Sequence, residues 1–220
     1  MHISRGTPST RLYTLCSVVL QSVTSAKYLG ITISQDLSWR RHVDSIAARA
    51  NSTLHFIHRN LKHCPRHTRE IAYCSLVRSS LEYSAGVWDP HLQRDIDTLE
   101  KVNRRAVRVV FNKSWRDREV SPTALMKTLN WDTLGTRRYR LRMAMMYNIS
   151  HRHVAVPPTE LISPHRILRG HNWKYQTIRT NNQKSKHSFY PRSIPEWNAL
   201  DSEIVNAPSV AVFKQRLLKY

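Results

Sequence analysis

The run Leu92-Gln93-Arg94-Asp95-Ile96-Asp97-Thr98-Leu99-Glu100-Lys101-Val102-Asn103-Arg104-Arg105-Ala106-Val107-Arg108-Val109 sets Leu92, Ile96, Leu99, Val102, Ala106 and Val109 at steps of three and four residues. That spacing keeps one face of an α-helix apolar, because about 3.6 residues complete a turn. It predicts a helix ending near residue 111, with Asp89 as N-cap and Pro90 as the first helical residue. The opposite face carries Arg94, Lys101, Arg104, Arg105 and Arg108. Two readings fit that face. Asp95, Asp97 and Glu100 lie in the N-terminal half and the arginines in the C-terminal half, as the helix dipole favours. Three arginines so close together also suit phosphate contact.

The same periodicity extends in both directions. Val43, Ile46, Ala47, Ala50, Leu54, Ile57 and Leu61 predict a helix over about 41–61, stopped before Pro65. A second helix is expected over about 66–82, with Ile71, Cys74, Val77 and Leu81 inward. Further helices are expected from Ser121-Pro122, over about 134–150, and over about 208–219, where Val210, Phe213 and Leu217 share a face. Upstream, residues 11–33 read as short β-strands: Tyr13, Leu15, Val18 and Leu20 alternate, and Lys27 to Ile33 is rich in β-branched and aromatic residues. Pro157-Pro158 marks a linker, and residues 159–195 follow neither period. The expected fold is mainly α, with short N-terminal strands, a helical bundle and a less regular basic C-terminal region ending in a helix.

Charge narrows the function classes. The chain has 220 residues, with 35 Lys plus Arg against 15 Asp plus Glu, a formal net charge of +20. Such a field draws polyanions, so nucleic acid is the leading partner and an anionic membrane surface the second. No apolar run approaches the ~18 residues that span a bilayer. The segment Leu12–Leu20 after Arg5 and Arg11 is broken by Tyr13, Thr14, Cys16 and Ser17, unlike a secretory signal. Three cysteines do not make a disulfide framework. An intracellular protein, nuclear or cytoplasmic and not secreted, is expected.

Catalytic patterns are missing from the sequence. It contains no G-x-S-x-G elbow, no HExxH and no P-loop. Asp95 and Asp97 stand two apart and point to different sides of a helix, so they are expected as exposed charges rather than a two-metal site. His63, Cys64, His67 and Cys74 fit no zinc spacing, with Pro65 between the two histidines, and read as structural. His151, His153, His165, His171 and His187 lie among basic groups, a natural setting for phosphates. No metal or cofactor is expected in this chain.

Between Asp132 and Glu196 the only acidic residue is Glu160, while 12 Lys or Arg occur there. Trp173, Tyr175, Phe189 and Tyr190 are interleaved with them, a mixture suited to RNA or single-stranded DNA. A solvated basic stretch with half-buried aromatic anchors accounts for the same composition. The residues expected to meet nucleic acid are Arg94, Lys101, Arg104, Arg105, Arg108, Arg137, Arg138, Arg140, Arg142, Arg166, Arg169, Trp173, Lys174, Arg179, Lys184, Lys186 and Arg192. Most of the six Trp read as core anchors, and Trp173 as a stacking surface.

Several segments, taken in order, resemble a known family. These are Ser25-Ala26-Lys27-Tyr28-Leu29-Gly30-Ile31-Thr32-Ile33, Asp36-Leu37-Ser38-Trp39 with His42, Leu76-Val77-Arg78, Leu81-Glu82-Tyr83, Trp88-Asp89-Pro90-His91 and Leu99 to Ala106. Ser188-Phe189-Tyr190-Pro191-Arg192, Trp197-Asn198-Ala199-Leu200 and Phe213-Lys214 continue the series. Together they resemble the region after the catalytic palm in non-LTR (LINE-type, jockey/CR1-like) retrotransposon reverse transcriptases. The chain departs from the family at Tyr190, where a second Phe is frequent, and at Asp201, where Pro often stands.

The resemblance implies residual palm and primer-grip strands over 1–36, a helical thumb-like domain over 37–150, a basic, weakly structured linker region over 151–195, and a C-terminal helical segment over 196–220. It implies RNA and DNA, as template–primer, for partners. The adjacent aspartates and the Mg2+ of the parent RNA-directed DNA polymerase would lie outside this chain, which holds no Asp-Asp pair. The palm and fingers and the endonuclease would precede it, Met1 being an internal methionine of a longer frame. The alternative is a co-opted or orphan nucleic-acid-binding or interaction module.

Overall fold

The computed structural model describes residues 12–114, 120–156, 161–163 and 171–220, and it is mainly helical. Two short antiparallel strand pairs come first, β1 (Thr14–Leu15) with β2 (Val18–Val19) and β3 (Ser25–Tyr28) with β4 (Ile31–Ser34). Helices follow: α1 (Arg40–Asn60), α2 (Arg66–Ala72), a π-helical turn (Tyr73–Arg78), α3 (Ser79–Glu82), α4 (Ala85–Trp88) and α5 (Gln93–Val110). Then come α6 (Pro122–Thr128), α7 (Leu134–Ser150), α8 (Gln183–Lys186), α9 (Phe189–Asn198), α10 (Ser202–Val205) and α11 (Val210–Leu217). The chain divides into two compact units, Met1–Leu81 with Leu92–Leu129, and Glu82–His91 with Asn130–Tyr220.

In the first unit, α1 and α5 pack along their apolar stripes. Val43, Ile46, Ala47, Ala50, Leu54 and Ile57 are buried on α1, and Leu99, Val102, Ala106, Val107 and Val110 on α5. Tyr73, Val77 and Leu81 complete this core, and the Tyr73 hydroxyl donates to Asn103 Oδ1 at 2.8 Å. The expected 66–82 helix forms with a π turn in its middle. The extra residue per turn shifts the inward face, so Arg69, Tyr73, Val77 and Leu81 are buried while Ile71, expected inward, is exposed. Arg69 stays buried because its guanidinium caps carbonyls: Nε donates to Val110 O at 2.9 Å, and Nη1 to Lys62 O at 3.1 Å and Cys64 O at 2.7 Å.

Within the region expected to form short strands, Ser25–Tyr28 and Ile31–Ser34 pair as a hairpin. Leu29 and Gly30, both at positive φ (45° and 84°), make its two-residue turn. The hairpin is tied to α1: Thr32 N–H donates to His42 Nδ1 at 3.3 Å, and Arg41 Nη1 donates to Thr24 Oγ1 and Ser25 Oγ, both at 3.2 Å.

The helix over 92–109 starts later than expected. Its first residue is Gln93 and its N-cap is Leu92, which is exposed; Asp89 instead ends α4 and is buried. Asp95, expected at the surface, is also buried.

The second unit is built on α7, whose bounds match the periodicity. Thr133 caps it, accepting from Thr136 N–H at 3.0 Å. Met143, Met146 and Tyr147 pack with Tyr175, Ile194, Trp197, Leu200, Val205, Phe213 and Leu217. The stretch expected to be weakly structured thus contains α8, the start of α9 and a core tyrosine. Pro191 and Pro195 hid α9 from sequence reading. Pro191 sits in the first turn, where its missing N–H costs nothing, and Pro195 removes one interior bond. Ser209 caps α11, accepting from Val212 N–H at 3.3 Å.

Candidate nucleic-acid interface

On α5 of the first unit, one face is sealed in the core and the other carries cations. Arg94, Lys101, Arg104 and Arg105 are exposed and Arg108 is half-buried. Arg105 Nη1 donates to Asn51 Oδ1 of α1 at 3.0 Å, and Arg108 Nη1 to Ser114 O at 3.1 Å. The bond to a neutral amide holds the Arg105 guanidinium in place without cancelling its charge, so it can still meet phosphate oxygens. Asp97 near the start of the helix is engaged with Gln93, its Oδ1 accepting at 2.9 Å.

The arginines of α7 are used differently. Arg138 and Arg142, one turn apart, are 1% and 2% exposed and both donate to the buried carboxylate of Asp89. Arg142 also pairs with Glu196, and Arg192 Nη1 lies 3.2 Å from Asp89 Oδ2. Burial lowers the Arg192 pKa, with Asp89 acting in the opposite direction. Arg137 pairs with Glu82, and Arg140 with Asp132. The expectation that Arg138 and Arg142 meet nucleic acid is therefore corrected: a guanidinium sealed against Asp89 has no path to a phosphate. Leu134, Arg138, Arg142 and Met146 follow one another at i, i+4 on the inward face. Arginines in a buried stripe imply a buried acid, which is the signal that would have pointed to Asp89.

The remaining expected cations of the second unit lie in its loops and short helix. Arg179, Lys184 and Lys186 are exposed and Lys174 is half-buried; Arg166 and Arg169 lie outside the described residues. Trp173 is 36% exposed and stacks on His151, with ring centroids 4.5 Å apart. His171, read from sequence as a phosphate neighbour, is buried: its Nδ1 accepts from Trp173 N–H at 3.2 Å, which leaves Nε2 to donate to Trp197 O at 3.1 Å. Burial lowers its pKa, as it does for His151 and His187. His187 stacks on His91, with centroids 4.0 Å apart. His165 lies outside the described residues.

Among the described residues, no three His, Cys, Asp or Glu side chains gather into a possible metal site. His63 and His67 are exposed, and Cys64 and Cys74 are half-buried and not joined in a disulfide. Among the described residues no helix is long and apolar enough to cross a membrane. Comparison with protein-family models, curated proteins and solved structures found no match to this chain.

Proposed function

We propose that this chain is the thumb-like and C-terminal part of a non-LTR retrotransposon reverse transcriptase, and that it holds template–primer nucleic acid by its phosphate backbone. The observation that carries this reading is the two-faced helix α5. Its apolar stripe is sealed in the core while Lys101, Arg104 and Arg105 stand in solvent on a chain of net charge +20. A polymerase must grip its substrate without regard to sequence, and phosphate contacts by Lys and Arg supply that grip. The ordered motifs from Ser25 to Lys214 support the parentage. Chemistry would belong to an aspartate pair elsewhere in the parent protein, so the chain alone would bind and not polymerise.

The test is a titration of a fluorescent RNA–DNA primer–template duplex across a salt series. Affinity is expected to fall steeply as salt rises, because neutralised phosphates release counterions. The triple variant Lys101→Gln, Arg104→Gln, Arg105→Gln should bind more weakly and flatten the slope of log K against log salt by about 0.7–0.9 for each phosphate it no longer neutralises. Affinity independent of salt, or a triple variant that binds like the parent, overturns the reading. DNA synthesis by the isolated chain would overturn its non-catalytic part.

A further inference from the structure

Within the second unit, four aromatic rings form a stacked series that starts in the core. Phe213 and Tyr147 are 4.7 Å apart between centroids, Tyr147 and His151 4.0 Å, and His151 and Trp173 4.5 Å, all within 30° of coplanar. Phe213 and Tyr147 are fully buried, whereas Trp173 reaches solvent. The backbone of Trp173 is fixed on both sides, its N–H donating to His171 Nδ1 at 3.2 Å and its carbonyl accepting from Trp197 Nε1 at 2.7 Å. The Tyr147 hydroxyl donates to Ala207 O at 2.6 Å and anchors the inner end. An indole packed on a ring series anchored in the core, and 36% exposed, loses little entropy when another flat ring covers it.

The sequence around it is cationic. Arg152 and His153, next to His151 in the chain, and Arg179 are exposed, and Lys174 follows Trp173. Between Asp132 and Glu196 the sequence holds only Glu160 as an acid. A flat π-surface among cations selects a ring that carries its own anionic backbone. A duplex offers this indole only terminal pairs, because its other bases are stacked and enclosed; a single strand can splay a base onto it.

We propose that Trp173 is a stacking platform for an unpaired base of single-stranded nucleic acid, with Arg152, Lys174 and Arg179 meeting the adjoining phosphates. This rests on the nucleic-acid reading above and adds to it a second contact, non-ionic and specific for single strands, distinct from the duplex-gripping face of α5.

The test compares a labelled oligouridylate of about 12 nucleotides with a blunt RNA–DNA duplex of equal length, on the full chain. Trp173→Ala should weaken oligouridylate binding about 5- to 100-fold, leave its log K against log salt slope unchanged and leave duplex binding within about twofold. Trp173→Phe, which keeps a ring on His151, should restore most of that affinity. As a readout on the unaltered chain, 5-iodouridine in the oligonucleotide should photocrosslink to Trp173. Equal oligouridylate affinity for Trp173→Ala, equal weakening on both ligands, or a crosslink that maps elsewhere overturns the proposal. A chain that binds duplex with a steep salt slope but ignores oligouridylate fails this proposal and keeps the phosphate reading. A chain that binds neither fails both.

Discussion

Arg138 Nε donates to Asp89 Oδ1 across 2.8 Å, with the arginine side chain 1% and the aspartate side chain 8% exposed. They are joined by Arg142 on the other carboxylate oxygen and by Arg192 at 3.2 Å, so one acid serves three cations. Two buried charges taken out of water require each other, and removing one leaves the other stranded. Asp89→Asn should therefore destabilise the protein by about 3–5 kcal/mol, read as a lower urea midpoint. Arg192→Lys, at the half-exposed edge, should cost much less. A midpoint unmoved by Asp89→Asn would refute the view that this carboxylate holds the network.

Histidines that folding partly or wholly desolvates make stability depend on pH. Burial lowers the pKa of His42, with Arg49 adding to the effect, and burial is also the leading cause for His151, His171 and His187. The unfolded chain then binds more protons than the folded one near and below the ordinary value of 6.5. The stabilisation is full above that pH and is lost as pH falls through the lowered folded values. Denaturation midpoints should decline from about pH 7.5 to about pH 5.5. Midpoints that rise or stay level over that range would contradict it.

The β3–β4 turn holds Leu29 at a φ of 45°, a conformation that is costly for Leu but that Asn tolerates, because its short polar side chain can bond to the nearby backbone. Asn followed by Gly is the favoured pair for a two-residue turn of this type. Leu29→Asn should raise stability by about 0.5–1 kcal/mol and slow amide exchange in the hairpin. Faster exchange would mean that Leu29 contributes packing that outweighs the strain.

Arg69 joins the end of α5 to the loop after α1 through bonds to Val110, Lys62 and Cys64 carbonyls. Arg69→Leu keeps bulk but leaves those oxygens unmatched, at a cost of about 1–3 kcal/mol in a urea titration. Arg69→Lys should recover only part of this, since an ammonium lacks the planar fork that reaches the carbonyls together. Full recovery by Lys would mean that charge, not geometry, matters at this position.

Element boundaries were legible wherever periodicity and local caps agreed. Ser121-Pro122 announces α6 because a side-chain oxygen can take up an orphan N–H at the start of a helix. Ile71 failed because a π turn changes the number of residues per turn, which a fixed period does not register. Asp89 failed for another reason. Its position before Pro90 fits an N-cap locally, yet arginines about 50 positions away claim its carboxylate.

The candidate site divides along the same line. The polarity of α5 and the excess of positive charge are properties of composition and spacing, so the order of residues alone determined that one helical face would be apolar and the other cationic. Which cations remain available was decided by tertiary structure: α7 carries as dense a set of arginines as α5, and burial against Asp89 and Glu196 turns two of them into core residues. The stacked rings ending at Trp173 likewise arise only on folding, from residues spread between Tyr147 and Phe213. Helical faces repeat over three or four residues and can be read in order along the chain. Ion pairing and stacking depend on distances in space between groups far apart in sequence, and those distances exist only after the chain has collapsed.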